Sequence, residues 1–214
     1  MAGAASGRSD AQKKSLTASE RERPDVVAAR RSWRGRRRKV SAKRFVFLDE
    51  SGAKTNMTRR TGWAAKGERL QASAPSGHWH TTTMVAAVAT DGVRAAFCYP
   101  GATDGAAFRT FCRAVLAPTL KRGDVVVLDN LNAHRDQEAL AAIEKAGAEV
   151  WPLPPYSPDL NPIELTWSKV KSGLRRAAAR SYSALTRVLG RVLDTVTPAE
   201  CLNAIRHCGY TQGI

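Results

Sequence analysis

Hydrophobic residues first gather into a dense run at RFVFLDES, an apolar stretch of strand type that ends in acid. Polar, turn-rich sequence follows (AKTNMTRRTGWAAKGE). HTTTMVAAVATDG then reads as a strand leading into an Asp91-Gly92 hairpin turn, with VRAAFCYPG as the returning strand. In ATDGAAFRTFCRAVLAPTL, Phe108, Phe111, Val115 and Leu116 recur at helical spacing. VVVLDN is a short β-branched run of the kind buried on both faces of a sheet. RDQEALAAIEKAG is an amphipathic helix closed by glycine, and AEVWPLPP is a strand stopped by prolines. From Asn161 onward the chain is mainly helical, with breaks near Arg180-Ser181 and Thr197-Pro198. Antiparallel strands followed by βαβ units predict an α/β domain, a mixed sheet with helices packed on its faces.

Residues 1–43 lack such a pattern. They are polar and rich in Ala, Ser and Arg, and ASERERPDVVAARRSWRGRRR has the length of a short helix but few core residues. A basic arm or linker, largely disordered or a short helix, is expected there, with the compact domain spanning 44–214. Charge gives this arm a purpose. The chain carries a net charge of +15, and residues 1–44 hold 14 Lys/Arg against 4 Asp/Glu. The run Arg30, Arg31, Arg34, Arg36, Arg37, Arg38, Lys39 is dense enough to bind a polyanion. Nucleic acid is the partner it fits, because Lys/Arg contacts to phosphate supply most sequence-independent affinity. A solvated basic tail is the alternative.

No apolar run approaches the roughly 20 residues of a bilayer span, and MAGAASGRSDAQKKS lacks the apolar core of a signal peptide. No membrane partner and a cytoplasmic, nucleoid-associated location are therefore expected. Cys98, Cys112, Cys201 and Cys208 form no CxxC pair and no metal-finger spacing. They read as buried or free thiols, a Cys201–Cys208 disulfide being the alternative.

Three carboxylates stand out. Asp49 closes FVFLD and Asp129 closes VVVLD. Two hydrophobic strands that each end in an acid place both carboxylates on one rim of the sheet, where open α/β sheets carry their sites. Either acid alone also fits a turn or helix cap. Glu164 follows Asn161 and Pro162, a good N-cap and a good first helical residue, so it also fits a capping box. Ile163, Trp167, Val170 and Leu174 form an apolar stripe at helical spacing, and Glu164, Ser168, Lys171 and Arg175 the polar stripe beside it. Three acids at a dry rim repel one another unless a cation joins them. Acids without zinc-type spacing suit Mg²⁺, and two such ions about 3.5–4 Å apart support phosphodiester cleavage or transfer.

Together FLDESG, VVVLDNLNAH and LPPYSPDLNPIELTWSKVK resemble the acidic-triad (DDE) transposases of the mariner superfamily, most closely the branch found in bacterial insertion sequences. Between Asp129 and Glu164 lie 34 residues, the spacing of that branch, and the likeness runs from about Lys43 to Tyr210. The resemblance implies an RNase H-like fold, a mixed five-stranded sheet flanked by helices. It implies Asp49, Asp129 and Glu164 as catalytic ligands of two Mg²⁺ or Mn²⁺ ions. It implies metal-dependent hydrolysis at the ends of a mobile element, then attack of the freed 3′-hydroxyl on target DNA, with no organic cofactor. Asn130 and His134 match the family's D-N-x-x-x-H block and are expected to line the site, although a lone His is often a structural hydrogen-bonder. Glu50 falls on the opposite face of its strand from Asp49 and is not expected to be a ligand. Arg59, Arg60, Lys169, Lys171, Arg175 and Arg176 are candidate phosphate contacts, a solvated surface being the alternative.

The expected partners are element ends, target DNA and a second copy of the chain on DNA. Full-length relatives carry helix-turn-helix modules before this domain, and none is visible in this sequence, so a separate upstream helix-turn-helix product is a further expected partner. The competing readings are a non-catalytic DNA-binding remnant and a related RNase H-like nuclease or integrase. The proline-rich block before Glu164 argues against the second.

Overall fold

The computed structural model describes residues 18–59, 61–102 and 104–214. Alternation along the first strand explains the layering. In β1 (Phe45–Lys54), Phe45 and Phe47 point into one core, while Val46 and Leu48 point into another. β4 (Val125–Leu128) repeats the pattern, with Val125 and Val127 on the first side and Val126 and Leu128 on the second. Both strands are therefore covered on both faces, as the uninterrupted apolar runs predict.

β2 (Thr81–Ala89) and β3 (Gly92–Pro100) form the expected hairpin around Asp91-Gly92, and β5 (Glu149–Pro152) completes a five-stranded sheet of order β3-β2-β1-β4-β5. The β1–β2 and β2–β3 pairs are antiparallel, and the β1–β4 and β4–β5 pairs parallel. On one face lie α2 (Gly105–Phe111), continued by a wider turn over Cys112–Leu116, and α3 (Gln137–Lys145), burying Phe108, Phe111, Leu116 and Ile143. The other face carries α4 (Ile163–Ala177), α5 (Tyr182–Leu193) and α6 (Pro198–His207). The predicted stripe of Ile163, Trp167, Val170 and Leu174 is buried there. All four cysteines are free. Cys201 and Cys208 stand seven residues apart along α6, roughly 10 Å of helix rise, beyond the reach of a disulfide.

The N-terminal reading needs correction. Residues Pro24–Arg37 form a 14-residue helix, α1, that belongs to the domain core. Its Trp33 sits edge-on to Trp151, ring centroids 5.7 Å apart, and donates through Nε1 to the Tyr210 hydroxyl at 3.3 Å. Part of the basic run is engaged with the rest of the domain. Arg30 is buried and forked onto Asp159, Arg36 lies 3.5 Å over the Trp151 ring, and Arg37 lies 4.6 Å over Tyr210. Arginine stems and planar heads pack on aromatic faces, so a run that reads as polyanion-binding also serves as a docking surface. Arg31, Arg34, Arg36, Arg38 and Lys39 remain exposed. Among the described residues no helix is long and apolar enough to cross a membrane.

Candidate active-site cleft

Asp49 and Asp129 meet because their strands are neighbours. β1 and β4 run parallel with Phe47 opposite Val127, so each acid lies two residues past this last matched pair. Asp49 does not end its strand, as the sequence reading expects. β1 continues to Lys54, paired with β2, and Asp49 faces Ala86 in that ladder. What ends is β4, and its end uncovers the edge of β1. By alternation Asp49 shares the face of Phe45 and Phe47, the face against which α4 packs.

α4 brings the third acid. Its first helical residue is Ile163, and Pro162 occupies the cap position without a side-chain cap bond. The capping box is absent. Asn161 is buried and its Oδ1 has no hydrogen-bond partner, while exposed Glu164 makes no side-chain hydrogen bond among the described residues. Burial of Ile163 and Trp167 sets the rotation of the helix, which leaves Glu164 at the cleft.

Asp49, Asp129 and Glu164 line one cleft of about 470 Å³, together with Asn130, Asn161 and the proline-rich segment 153–158. That segment is tied down from several directions. Asn130 Nδ2 donates to the Leu153 carbonyl at 2.6 Å, Arg30 donates to Ser157 Oγ at 2.6 Å and to Asp159, and the Tyr210 hydroxyl donates to the Leu160 carbonyl at 2.8 Å. Within it Tyr156 holds φ 53, a left-handed conformation uncommon for a residue with a side chain. Asn130 thus touches the loop that forms one wall of the cleft.

The electrostatics of the acids diverge. Asp49 is nearly buried; burial, followed by the charge of Glu164, pushes its carboxyl up to about 7. Asp129 is held below its ordinary range, chiefly by its hydrogen bond with His134. His134 is buried against Phe108, ring centroids 4.5 Å apart. Its Nδ1 lies 2.7 Å from Asp129 Oδ1 and its Nε2 2.8 Å from Glu50. Burial opposes charge on the ring, but the bonds to Asp129 and Glu50 outweigh it and push the imidazole up to about 10. Glu50 lies on the face of β1 opposite Asp49, as alternation predicts, yet it reaches the site through this histidine. Sequence reasoning set Glu50 aside. No local signal points to it, because Glu50 and His134 are 84 residues apart and meet only through the packing of the fold.

The candidate phosphate contacts separate. Arg59, Arg175 and Arg176 line a groove of about 590 Å³ with Thr61 and Ser172. Lys169 does not join them. Its ammonium is engaged with Glu200 at 2.7 Å and the Thr195 carbonyl at 2.6 Å. Lys171 is half-buried on α4, and Arg60 lies outside the described residues.

The donor set is oxygen only, which fits a hard divalent cation. Asp49 is a nearly buried acid with no basic side chain bonded to it among the described residues, and the Asn161 Oδ1 is unpaired at the same cleft. Among the described residues no three His, Cys, Asp or Glu side chains converge closely enough to hold an ion between them. Mg²⁺ ordinarily takes one or two carboxylates and completes its shell with water and substrate oxygens, so acids spread along a cleft remain compatible with it.

Fold and cleft together define an α/β domain whose sheet rim and flanking helix present three acids. A protein-family model for DDE superfamily endonucleases matches residues 44–186, and the chain belongs to that family. Comparison with curated protein sequences finds no match. Among solved structures, the Mos1 transposase paired-end complex with the left transposon end is similar at a TM-score of 0.75 and 19% identity, over 94% of this chain and 63% of that one. A Mos1 mariner paired-end complex with Mn gives 0.72 and 20%, over 94% and 63%. The catalytic domain of Mos1 mariner transposase gives 0.59 and 15%, over 91% of each chain. The chain thus spans about 63% of the Mos1 transposase chains in the paired-end complexes. Its mixed five-stranded sheet flanked by helices is the RNase H-like fold expected from the sequence.

Proposed function

We propose that this chain is a transposase catalytic domain. It cuts DNA at the ends of a mobile element and joins the freed 3′-hydroxyl to target DNA, using Mg²⁺ or Mn²⁺. The observation that carries the reading is the meeting of Asp49, Asp129 and Glu164 along one cleft in a chain of the DDE endonuclease family. The likeness to transposases solved with transposon ends, and with Mn in one case, supports it. Asp49, Asp129 and Glu164 would hold two ions, which when bound activate the attacking oxygen and stabilise the leaving one. The protein's own part is to hold the acids in place and exclude water from Asp49. It also keeps the duplex over the cleft through Arg59, Arg175 and Arg176. A second copy of the chain on DNA and a separate helix-turn-helix product that reads the element ends complete the proposed assembly.

The test uses the chain with Mn²⁺, an oligonucleotide bearing a free 3′-hydroxyl, and a supercoiled plasmid as target. Strand transfer is expected from wild type. Asp129→Asn and Glu164→Gln should each lose more than the roughly 100-fold that removing a neighbour of a metal ligand costs. Equal product from wild type and Asp129→Asn would leave a DNA-binding domain without this chemistry. Because Glu164 makes no capping bond, Glu164→Gln should lower stability by no more than about 0.5 kcal/mol.

The groove gives a second expected result. Replacing Arg59, Arg175 and Arg176 together by Ala should flatten the slope of log affinity against log salt for duplex DNA. The change should be roughly 2–3, about 0.9 for each phosphate that is no longer neutralised. Lys169→Ala should leave the slope unchanged, because that ammonium is held by Glu200. An effect of Lys169→Ala equal to that of the groove variant would place the DNA path elsewhere.

A further inference from the structure

We infer that Glu50 and His134 are positioning residues for Asp129, fixing which of its oxygens faces the cleft; the inference rests on reading Asp129 as a metal ligand. A carboxylate oxygen has two lone pairs for hydrogen bonding. On Asp129 Oδ1 the Leu131 N–H donates at 2.8 Å and His134 Nδ1 lies at 2.7 Å, the same nitrogen standing 3.4 Å from the Asp129 carbonyl oxygen. Oδ2 accepts no hydrogen bond among the described residues, and about half of the side chain is open to the cleft. The acid is thus turned so that Oδ2 alone is free to bind a cation.

The histidine cannot swing to release it. Its ring is packed on Phe108, and its other nitrogen is 2.8 Å from both Glu50 oxygens, with side-chain exposures of 1% and 8% for the pair. Held between Phe108 and Glu50, the ring takes away the rotational freedom of the Asp129 carboxylate. One strand therefore serves the site twice. Asp49 enters the cleft from one face of β1, and Glu50 supports the second acid from the other. Groups that hydrogen-bond a ligating carboxylate typically alter metal affinity by 10–100-fold when removed.

Mn²⁺ binding to the DNA-free chain, read by the loss of the free-ion paramagnetic resonance signal, tests this alongside thermal melting. His134→Ala is expected to weaken Mn²⁺ binding by roughly 10–100-fold. His134→Asn places an amide N–H near the position of Nδ1 but cannot reach Glu50. It should recover most of the affinity while melting as low as His134→Ala. A purely structural histidine predicts the opposite, with affinity following melting temperature in both variants or unchanged in both, and either result overturns the inference. Should His134→Ala not fold, Glu50→Gln decides: weaker Mn²⁺ binding supports the inference and unchanged binding overturns it. Asp129→Asn separates the two levels. If Asp129→Asn binds Mn²⁺ as wild type does, the ligand reading fails and the positioning role falls with it. If only the His134 and Glu50 variants bind normally, the ligand reading stands and the positioning role alone is lost.

Discussion

Asp49→Asn will inactivate the protein and yet raise its melting temperature in the absence of metal at pH 8. The folded chain holds the Asp49 carboxyl up to about 7 against an ordinary value of 3.8, first by burial and then by the charge of Glu164. A carboxyl raised on folding is more readily ionised in the unfolded chain, so folding is opposed wherever the acid must be charged. The penalty is absent below about pH 4, grows as pH rises, and is complete above about pH 7. That gap corresponds to at most on the order of 4 kcal/mol. At 2–4 °C per kcal/mol for a chain of this size, at most about 8–16 °C of stabilisation is expected from the neutral amide. Near pH 4.5, where about three quarters of the penalty has gone, the gap between wild type and variant should shrink in proportion. Added Mn²⁺ should stabilise wild type and not the variant, since an ion that binds the folded state shifts the equilibrium toward it. Identical melting of the metal-free proteins from pH 4.5 to 8 would show that Asp49 is not under strain from its neighbours.

Trp33→Ala should cost about 3–5 kcal/mol, the range for emptying a buried aromatic site. The residue is buried, packs against Trp151 and donates to the Tyr210 hydroxyl, which in turn holds the Leu160 carbonyl. The loss therefore reaches the cleft wall. Arg30 on the same helix is forked to Asp159 and bonded to Ser157, so loosening α1 frees the segment that precedes Glu164. A melting temperature lower by on the order of 10 °C is expected, with strand transfer falling below the melting point as well. Arg31→Ala, on the exposed side of α1, should stay within about 0.5 kcal/mol. A Trp33→Ala variant that melts like Arg31→Ala would mean that α1 is a detachable arm, as its composition implies.

Composition misleads in α1 because arginines share in its packing beside Val26 and Trp33. Arg30 pairs its head with Asp159, and Arg36 and Arg37 lay theirs over aromatic rings, none of these partners being adjacent in sequence. Asp159 is 129 residues from Arg30. No short window of the sequence contains both, and so the segment reads as a solvated basic run. The capping reading of Glu164 fails for a related reason. Asn161, Pro162 and Glu164 satisfy the local pattern, but burial of Ile163 and Trp167 sets where the helix begins and which way it turns.

Local alternation and apolar runs determined the strands, the hairpin at Asp91-Gly92, the order of the helices and the face of each acid on its strand, because these depend on neighbours one to four residues apart. Only the tertiary structure decided that β4 stops where β1 continues, so that Asp49 is uncovered within its strand rather than at its end. It also decided that Glu50 reaches Asp129 through His134, that Lys169 is held by Glu200, and that α1 is core. Each of these joins residues far apart in the chain, and such contacts are fixed by sheet order and by which surfaces must be buried together.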